Sequence, residues 1–293
     1  MKKIFLVIIT IVFLFSCEKN IDFNLKPANN ILVVDAQIEN GKPPTVILTK
    51  SLDYFGAINP QILTNSFVHN AQVKMSNGMV THQLKEYSTT LPGNYTIYYY
   101  GIDSSNLATA FIGEFNTTYS LIINSEGKEY TATTTIPALT KFPDSLWFKK
   151  APAYIDTSYR VLMAKVSDPP GLGNYIRYFT KKNNGSFLPG SNSAFSDEVI
   201  DGSTYEVQID QGVDRNNLPP NSDSNFFKRG DTVTFKLCNI DKATYTFWST
   251  WEFAQQSIGN PFAQPGKVIG NISNGALGAF YGYAAWYGTV VAK

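Results

Sequence analysis

Much of this chain alternates apolar and polar residues with a period of two, the pattern of strands that bury one face. Residues 31–38 (ILVVDAQI) read as the first such strand, residues 41–44 break it, and residues 45–49 resume. The clearest local signal is residues 71–84, AQVKMSNGMVTHQL. Asn77-Gly78 lies between two alternating runs, and both residue types accept the positive φ of a two-residue hairpin turn. That turn would pair Met75 with Val80, Val73 with His82 and Ala71 with Leu84, which makes one face mostly apolar. Gln72, Lys74, Ser76, Thr81 and Gln83 fall on the other. Further strands are predicted at residues 95–100, 118–123 and 129–136, the last two joined by a turn through Glu126-Gly127. Six or seven short strands in about 110 residues predict an immunoglobulin-like β-sandwich, with Tyr119 placed to form a tyrosine corner.

Beyond residue 143 the pattern is less regular. Strands are predicted at residues 160–166, 175–181, 205–209 and 233–237, separated by polar loops, the longest of them (212–231) containing Pro219-Pro220. One helix is predicted. Asp241 is its N-cap, and Phe247, Trp251, Ala254 and Ile258 recur at helical spacing. Trp248 widens the stripe and Gly259-Asn260-Pro261 ends it. The stripe reads as core packing. Residues 275–292 carry no charge, but with Gly275, Gly278, Gly282 and Gly288 and few large aliphatics they read as glycine-punctuated strands closing the second sheet, not as a membrane helix. Pro137 and Pro143 mark the boundary. The expected fold is mainly β: an immunoglobulin-like sandwich at 29–137, able to fold by itself, then a β-rich C-terminal domain at 143–293 with one aromatic helix.

The start of the chain follows a different pattern. Lys2 and Lys3 precede an apolar run at residues 4–15, too short to span a bilayer and of the right length for a signal-peptide core. Leu14-Phe15-Ser16-Cys17 resembles a lipobox, in which the cysteine is acylated and the chain is cleaved before it. Residues 1–16 are then a lipoprotein signal peptide and 17–28 a lipidated tether. Two or three acyl chains, at roughly 0.8 kcal/mol per buried methylene, hold a protein durably on a membrane. Cys238 is the second of two cysteines, so acylation of Cys17 excludes an intramolecular disulfide, and Cys238 reads as a small buried hydrophobe. The net charge of +1, from 24 basic and 23 acidic residues, argues against a nucleic-acid partner.

Candidate chemistry is sparse. His69 and His82 fall too far apart in the predicted hairpin to share a metal. Gly270-Asn271-Ile272-Ser273-Asn274-Gly275 has one residue too many for a nucleophile elbow, and Gly171-Leu172-Gly173 lacks the third glycine of a dinucleotide loop. Asp197, Asp201 and Gly202 echo positions 1, 5 and 6 of a calcium loop, but Val199 and Gln208 occupy positions 3 and 12. No catalytic residue, cofactor or metal ligand is predicted, and the expected protein is not an enzyme.

Several short motifs together carry a resemblance to a family. They are Val33-Val34-Asp35-Ala36-Gln37-Ile38, Asn70-Ala71-Gln72-Val73, Asp168-Pro169-Pro170-Gly171 with Asn174-Tyr175-Ile176-Arg177-Tyr178, Ser196-Asp197-Glu198-Val199-Ile200-Asp201-Gly202, and Asn271-Ile272-Ser273-Asn274-Gly275-Ala276-Leu277-Gly278-Ala279-Phe280. In this order the chain resembles a family of Bacteroidetes outer-membrane lipoproteins with a domain of unknown function, often encoded beside TonB-dependent receptors. The resemblance implies an accessory lipoprotein of the outer membrane, at the cell surface, that works with a TonB-dependent receptor in substrate capture or uptake. The alternative is a surface lipoprotein that binds a glycan, or a peptide, through exposed aromatics. Partner contacts are expected in the second domain, on the loops at 197–202 and 212–231 and the glycine- and aromatic-rich residues 270–288. Acylation of Cys17 has a direct test. Cys17→Ser should move the protein from the membrane fraction to the soluble fraction on cell fractionation, and a variant that stays with the membrane would remove the anchor.

Overall fold

The computed structural model describes residues 30–52, 59–91, 95–215, 225–258 and 266–293. The signal segment with Cys17, the tether, Pro219-Pro220 and Gly259-Asn260-Pro261 lie outside the described residues. The chain is mainly β. The first half contains β1 (Leu32–Glu39), β2 (Thr45–Lys50), the short helix α1 (Pro60–Ser66), β3 (Gln72–Ser76), β4 (Thr81–Leu91), β5 (Tyr95–Ile102), β6 (Thr117–Ser125) and β7 (Lys128–Ile136). These strands follow the order β1-β2-β5-β4 and then β3-β6-β7. That is the order of the two layers of an immunoglobulin sandwich, joined here through the β3–β4 hairpin. Val34, Ala36, Val46, Val73, Met75, Leu121 and Ile123 all point into one core, each at an alternate position of its strand. Tyr119 is fully buried near the start of β6, and its hydroxyl accepts the backbone N–H of Glu114 at 2.7 Å, five residues upstream. This is the tyrosine corner.

The β3–β4 hairpin differs from its predicted register. Met75 pairs with His82 and Val73 with Leu84, which leaves residues 77–80 as a four-residue loop. Of the Asn77-Gly78 pair only Gly78 takes a positive φ, at +87°. The Asn77 side chain instead accepts the N–H groups of Met79 and Val80 at 3.1 and 2.9 Å, a local turn that competes with the two-residue one. The register slips by two residues, so side chains keep their faces and His82 stays buried. Its Nε2 accepts the N–H of Asp103, its Nδ1 meets the Thr109 hydroxyl, and burial lowers its pKa against the opposing pull of Asp103.

The second half contains β8 (Pro143–Lys150), β9 (Tyr159–Ser167), β10 (Tyr175–Lys182), β11 (Leu188–Phe195), β12 (Thr204–Ile209), β13 (Phe227–Lys228), β14 (Thr232–Ile240), the helix α2 (Lys242–Gln256) and β15 (Leu277–Val291). Strands β8, β9, β12 and β13 form a small sheet. It packs against β10, β14 and the end of β15 around Leu162, Tyr178, Phe227, Phe235 and Leu237. Asp241 caps α2 as expected, with Oδ1 accepting the Thr244 N–H at 2.7 Å. The helix ends at Gln256, two residues short of Ile258, which is 61% exposed. The inward side carries Thr244, Phe247 and Glu252.

The uncharged residues 275–292 hold one long strand, β15, not several, and it serves both halves. The first part of β15 pairs in parallel with β1, from Leu277 opposite Val33 to Tyr283 opposite Glu39. The remainder pairs antiparallel with β14, from Ala284 opposite Asn239 to Val291 opposite Thr232. One eleven-stranded sheet therefore runs across the Pro137–Pro143 segment. Phe280 and Ala284 lie in the core of the immunoglobulin-like half. Gly278 explains how β15 enters: its φ is +89°, and a Cβ there would lie 1.9 Å from the Val34 carbonyl oxygen. The outer edge of β7 is also occupied. Ser273 exchanges hydrogen bonds with Thr131, Asn271 donates to the Thr133 carbonyl, and Asp241 accepts the Thr135 N–H.

The segment between the prolines is itself fixed in place. The Lys141 backbone and the Asn239 side chain exchange two hydrogen bonds, and the fully buried Lys141 ammonium meets the equally buried Asp168 at 2.5 Å. With β15 in both cores, the intact chain should melt in a single calorimetric transition. Phe280→Ala should lower its stability by about 3–5 kcal/mol, the range for truncating a buried phenylalanine. Two separate transitions would show that the shared strand does not couple the halves.

Candidate functional site

Four neighbouring strands of the large sheet place alternate residues on the face below α2. From β1 come Val33, Asp35 and Gln37; from β15, Ala279, Tyr281 and Tyr283; from β14, Lys236; and from β10, Arg177 and Phe179. Their neighbours in sequence, such as Val34, Phe280, Phe235 and Tyr178, face the two cores. Phe247, Trp248 and Trp251 of α2, together with Phe187, Pro189 and Arg215, complete a cavity of about 550 Å³.

The cavity combines cations with aromatic faces. Arg177 is 3% exposed, and its guanidinium carbon lies 3.3 Å from the Trp248 ring centroid and 4.7 Å from that of Phe179. Its Nε donates to the Ser193 hydroxyl at 3.1 Å and its Nη1 to the Tyr283 hydroxyl at 2.7 Å. Arg215 lies over Trp251 at 4.7 Å and pairs with Glu252 at 3.4 Å. The buried Glu252 also takes both the N–H and the hydroxyl of Ser193. Burial lowers the pKa of Arg215. Glu252 opposes that shift, and the neighbouring Arg177 reinforces it. Lys236 pairs with Glu39 at 2.5 Å, and Glu39 also meets Lys42 and accepts the Tyr287 hydroxyl. Burial raises the pKa of Glu39, but Lys236, Lys42 and Tyr287 together outweigh it, so the carboxyl is held below its ordinary value. Asp35 opens to the cavity and accepts the Tyr281 hydroxyl. The protein packed around it pushes its carboxyl upward, against the pull of Tyr281 and Arg177.

The residues singled out in the sequence are distributed differently. Cys238 is fully buried beneath α2, packed beside this site, and burial pushes its thiol up to about 12, where it is inert. His69 meets Glu86 and His82 meets Thr109, so neither faces the cavity. Asp197 and Asp201 do converge, with Asp168 as a third carboxylate. Asp197 is occupied by the N–H groups of Gly173 and Asn174, Asp201 by that of Gly171, and Asp168 by Lys141. A second cavity of about 440 Å³, walled by Ile176, Tyr178, Phe195, Val199 and Val207 among others, opens between the sheets of the second half.

Arg177, Arg215, Lys236, Glu39 and Glu252 escaped the sequence reading. For Arg177, Lys236 and Glu252 a signal is present: a lone charge within an apolar strand or aromatic stripe, as in Tyr175-Ile176-Arg177-Tyr178-Phe179 and Trp251-Glu252-Phe253, is rare unless that charge is paired or used.

The fold and the cavity define a β-rich protein with an aromatic and cationic cavity of a size common among small-molecule binding sites. Residues 18–286 match the family described as Domain of unknown function (DUF4249), and the chain belongs to that family. No curated protein matches the chain.

The carboxylate cluster yields a prediction with two parts. Calcium or EDTA should leave the melting temperature unchanged, because Lys141 already neutralises the buried Asp168. Lys141→Met should destabilise the protein by about 3–5 kcal/mol, the cost of leaving one partner of a buried ion pair alone. A calcium-dependent rise in melting temperature would instead make the cluster a metal site.

Proposed function

We propose that this protein is a non-enzymatic, lipid-anchored accessory protein of the outer membrane that holds a small solute for uptake by a TonB-dependent receptor. The observation that carries the reading is the cavity beneath α2. At about 550 Å³ it lies within the range of roughly 300–1,000 Å³ common to small-molecule sites. Its polar groups are fixed before any ligand arrives. Ser193 bridges Arg177 and Glu252, and Tyr283 holds Arg177 from the other side. Such preorganisation favours binding, because less side-chain freedom is lost when the ligand enters. The lipobox at Cys17 supports the anchor, and the resemblance noted above supports the receptor. Glycan binding on an aromatic platform finds less support, since Trp248 and Trp251 have guanidinium groups over their faces.

The test is purification of the tagged, full-length protein from cross-linked native membranes. A TonB-dependent receptor should be recovered well above the level in an untagged strain. Recovery of no such receptor would overturn the uptake reading.

A further inference from the structure

Arg177 is a buried cation with no carboxylate at ion-pair distance among the described residues. The ion pairs around the cavity join Lys236 and Lys42 to Glu39, and Arg215 to Glu252; among the described residues none involves Arg177. Two hydroxyls hold its Nε and Nη1, which accounts for two of the five N–H donors of a guanidinium. Hydroxyls supply hydrogen bonds but no charge, and an ion removed from water without a counter-ion is costly. Asp35, on the wall formed by β1, attracts Arg177 from beyond ion-pair distance and accepts the Tyr281 hydroxyl. A second guanidinium, that of Arg215, lies close enough to repel the first. The indole N–H of Trp248, the ring that stacks on Arg177, is buried and has no acceptor among the described residues.

We propose that the cavity binds a carboxylate carried on an aromatic or apolar body, with Arg177 as its anchor and Arg215 beside it. The proposal rests on the small-solute reading above and specifies the chemical class of that solute. Lys236 and Arg215 have acidic partners at ion-pair distance and Arg177 has none, so the site offers one guanidinium free of such a partner, which suits a monoanion better than a phosphate of higher charge. A carboxylate also fits the planar fork of a guanidinium. The body of the ligand is set by the remaining walls, where Phe179, Phe187, Trp248, Trp251 and Tyr281 supply apolar aromatic surface.

The test is calorimetric titration of the full-length chain carrying Cys17→Ser with 3-phenylpropionate and indole-3-acetate, each beside its primary amide, and with phenethylamine. The acids should bind at one site, and the amides and the amine at least tenfold more weakly. Arg177→Gln should weaken acid binding by about 10- to 100-fold, as expected for loss of a charged hydrogen-bonding partner. Gln37→Trp, which alters an exposed residue on the cavity wall and so spares the core, should abolish binding by filling the space. Should Arg177→Gln fail to fold, the acid–amide comparison and Gln37→Trp still decide the matter. Equal binding of acids and amides, acid binding unaffected by either substitution, or no acid binding at millimolar concentration would each overturn the proposal. The titration needs neither membrane nor receptor, so a failed receptor recovery would leave its outcome intact.

Discussion

The structure depends on one strand being shared. Strand β15 gives its first half to the sheet that begins at β1 and its second half to β14. Its side chains alternate, with Phe280 and Ala284 in the immunoglobulin-like core and Ala279, Tyr281, Tyr283 and Ala285 beneath α2. A strand buried on both faces needs small residues where its neighbours come closest, which accounts for Gly278, Ala279, Gly282, Ala284 and Ala285 among its aromatic residues. At Gly282, a Cβ would lie 2.7 Å from the Thr135 carbonyl oxygen of β7. The sharing is thus written into side-chain size as well as into hydrogen bonds.

The cavity follows from that arrangement. It opens where β1, β15, β14 and β10 lie side by side, so its walls come from both halves of the chain. Few apolar positions separate its charged groups, and aromatic rings fill the space between them. Arg177, Arg215 and Lys236 each lie over at least one ring, which lets a cation remain in a poorly hydrated place at moderate cost. The same junction protects an exposed strand edge. Asn271, Ser273 and Asp241 take up the outward hydrogen-bonding groups of β7, which would otherwise be free to pair with a strand of another molecule.

How much of this was legible depended on sequence distance. The alternation in β1, β3, β6 and β7 revealed the faces of the first half. Even the slipped hairpin at Asn77-Gly78 kept its apolar side, because a shift of two residues preserves parity. Strand β11, with the sequence LPGSNSAF, reads as loop; its pairing comes from β10. The long uncharged segment gave no parity signal, since neighbours cover it on both sides from Ala279 to Ala285. The charged residues of the cavity were visible as oddities but not as a site. Lys236 finds its partner Glu39 across 197 residues, and Arg177 finds Tyr283 across 106. No local pattern reports such separations. Lys141 shows the same limit: a lysine between two prolines reads as a solvated linker, and only Asp168 and Asn239 account for its burial.

The parallel pairing of β1 with β15 also bears on how the molecule forms. The hydrogen bond between Tyr281 and Asp35 closes a loop of 246 residues, and few contacts in a protein of this size could be less local. Folding rates fall as contacts become more distant in sequence, because the entropy of closing the loop is lost before the contact is gained. The β1–β15 pairing therefore carries a large loop-closure cost, and forming it completes the sheet that joins both halves. Until then β1 presents an unpaired edge to the surroundings, and that interval is when the chain is most exposed to pairing with the wrong partner.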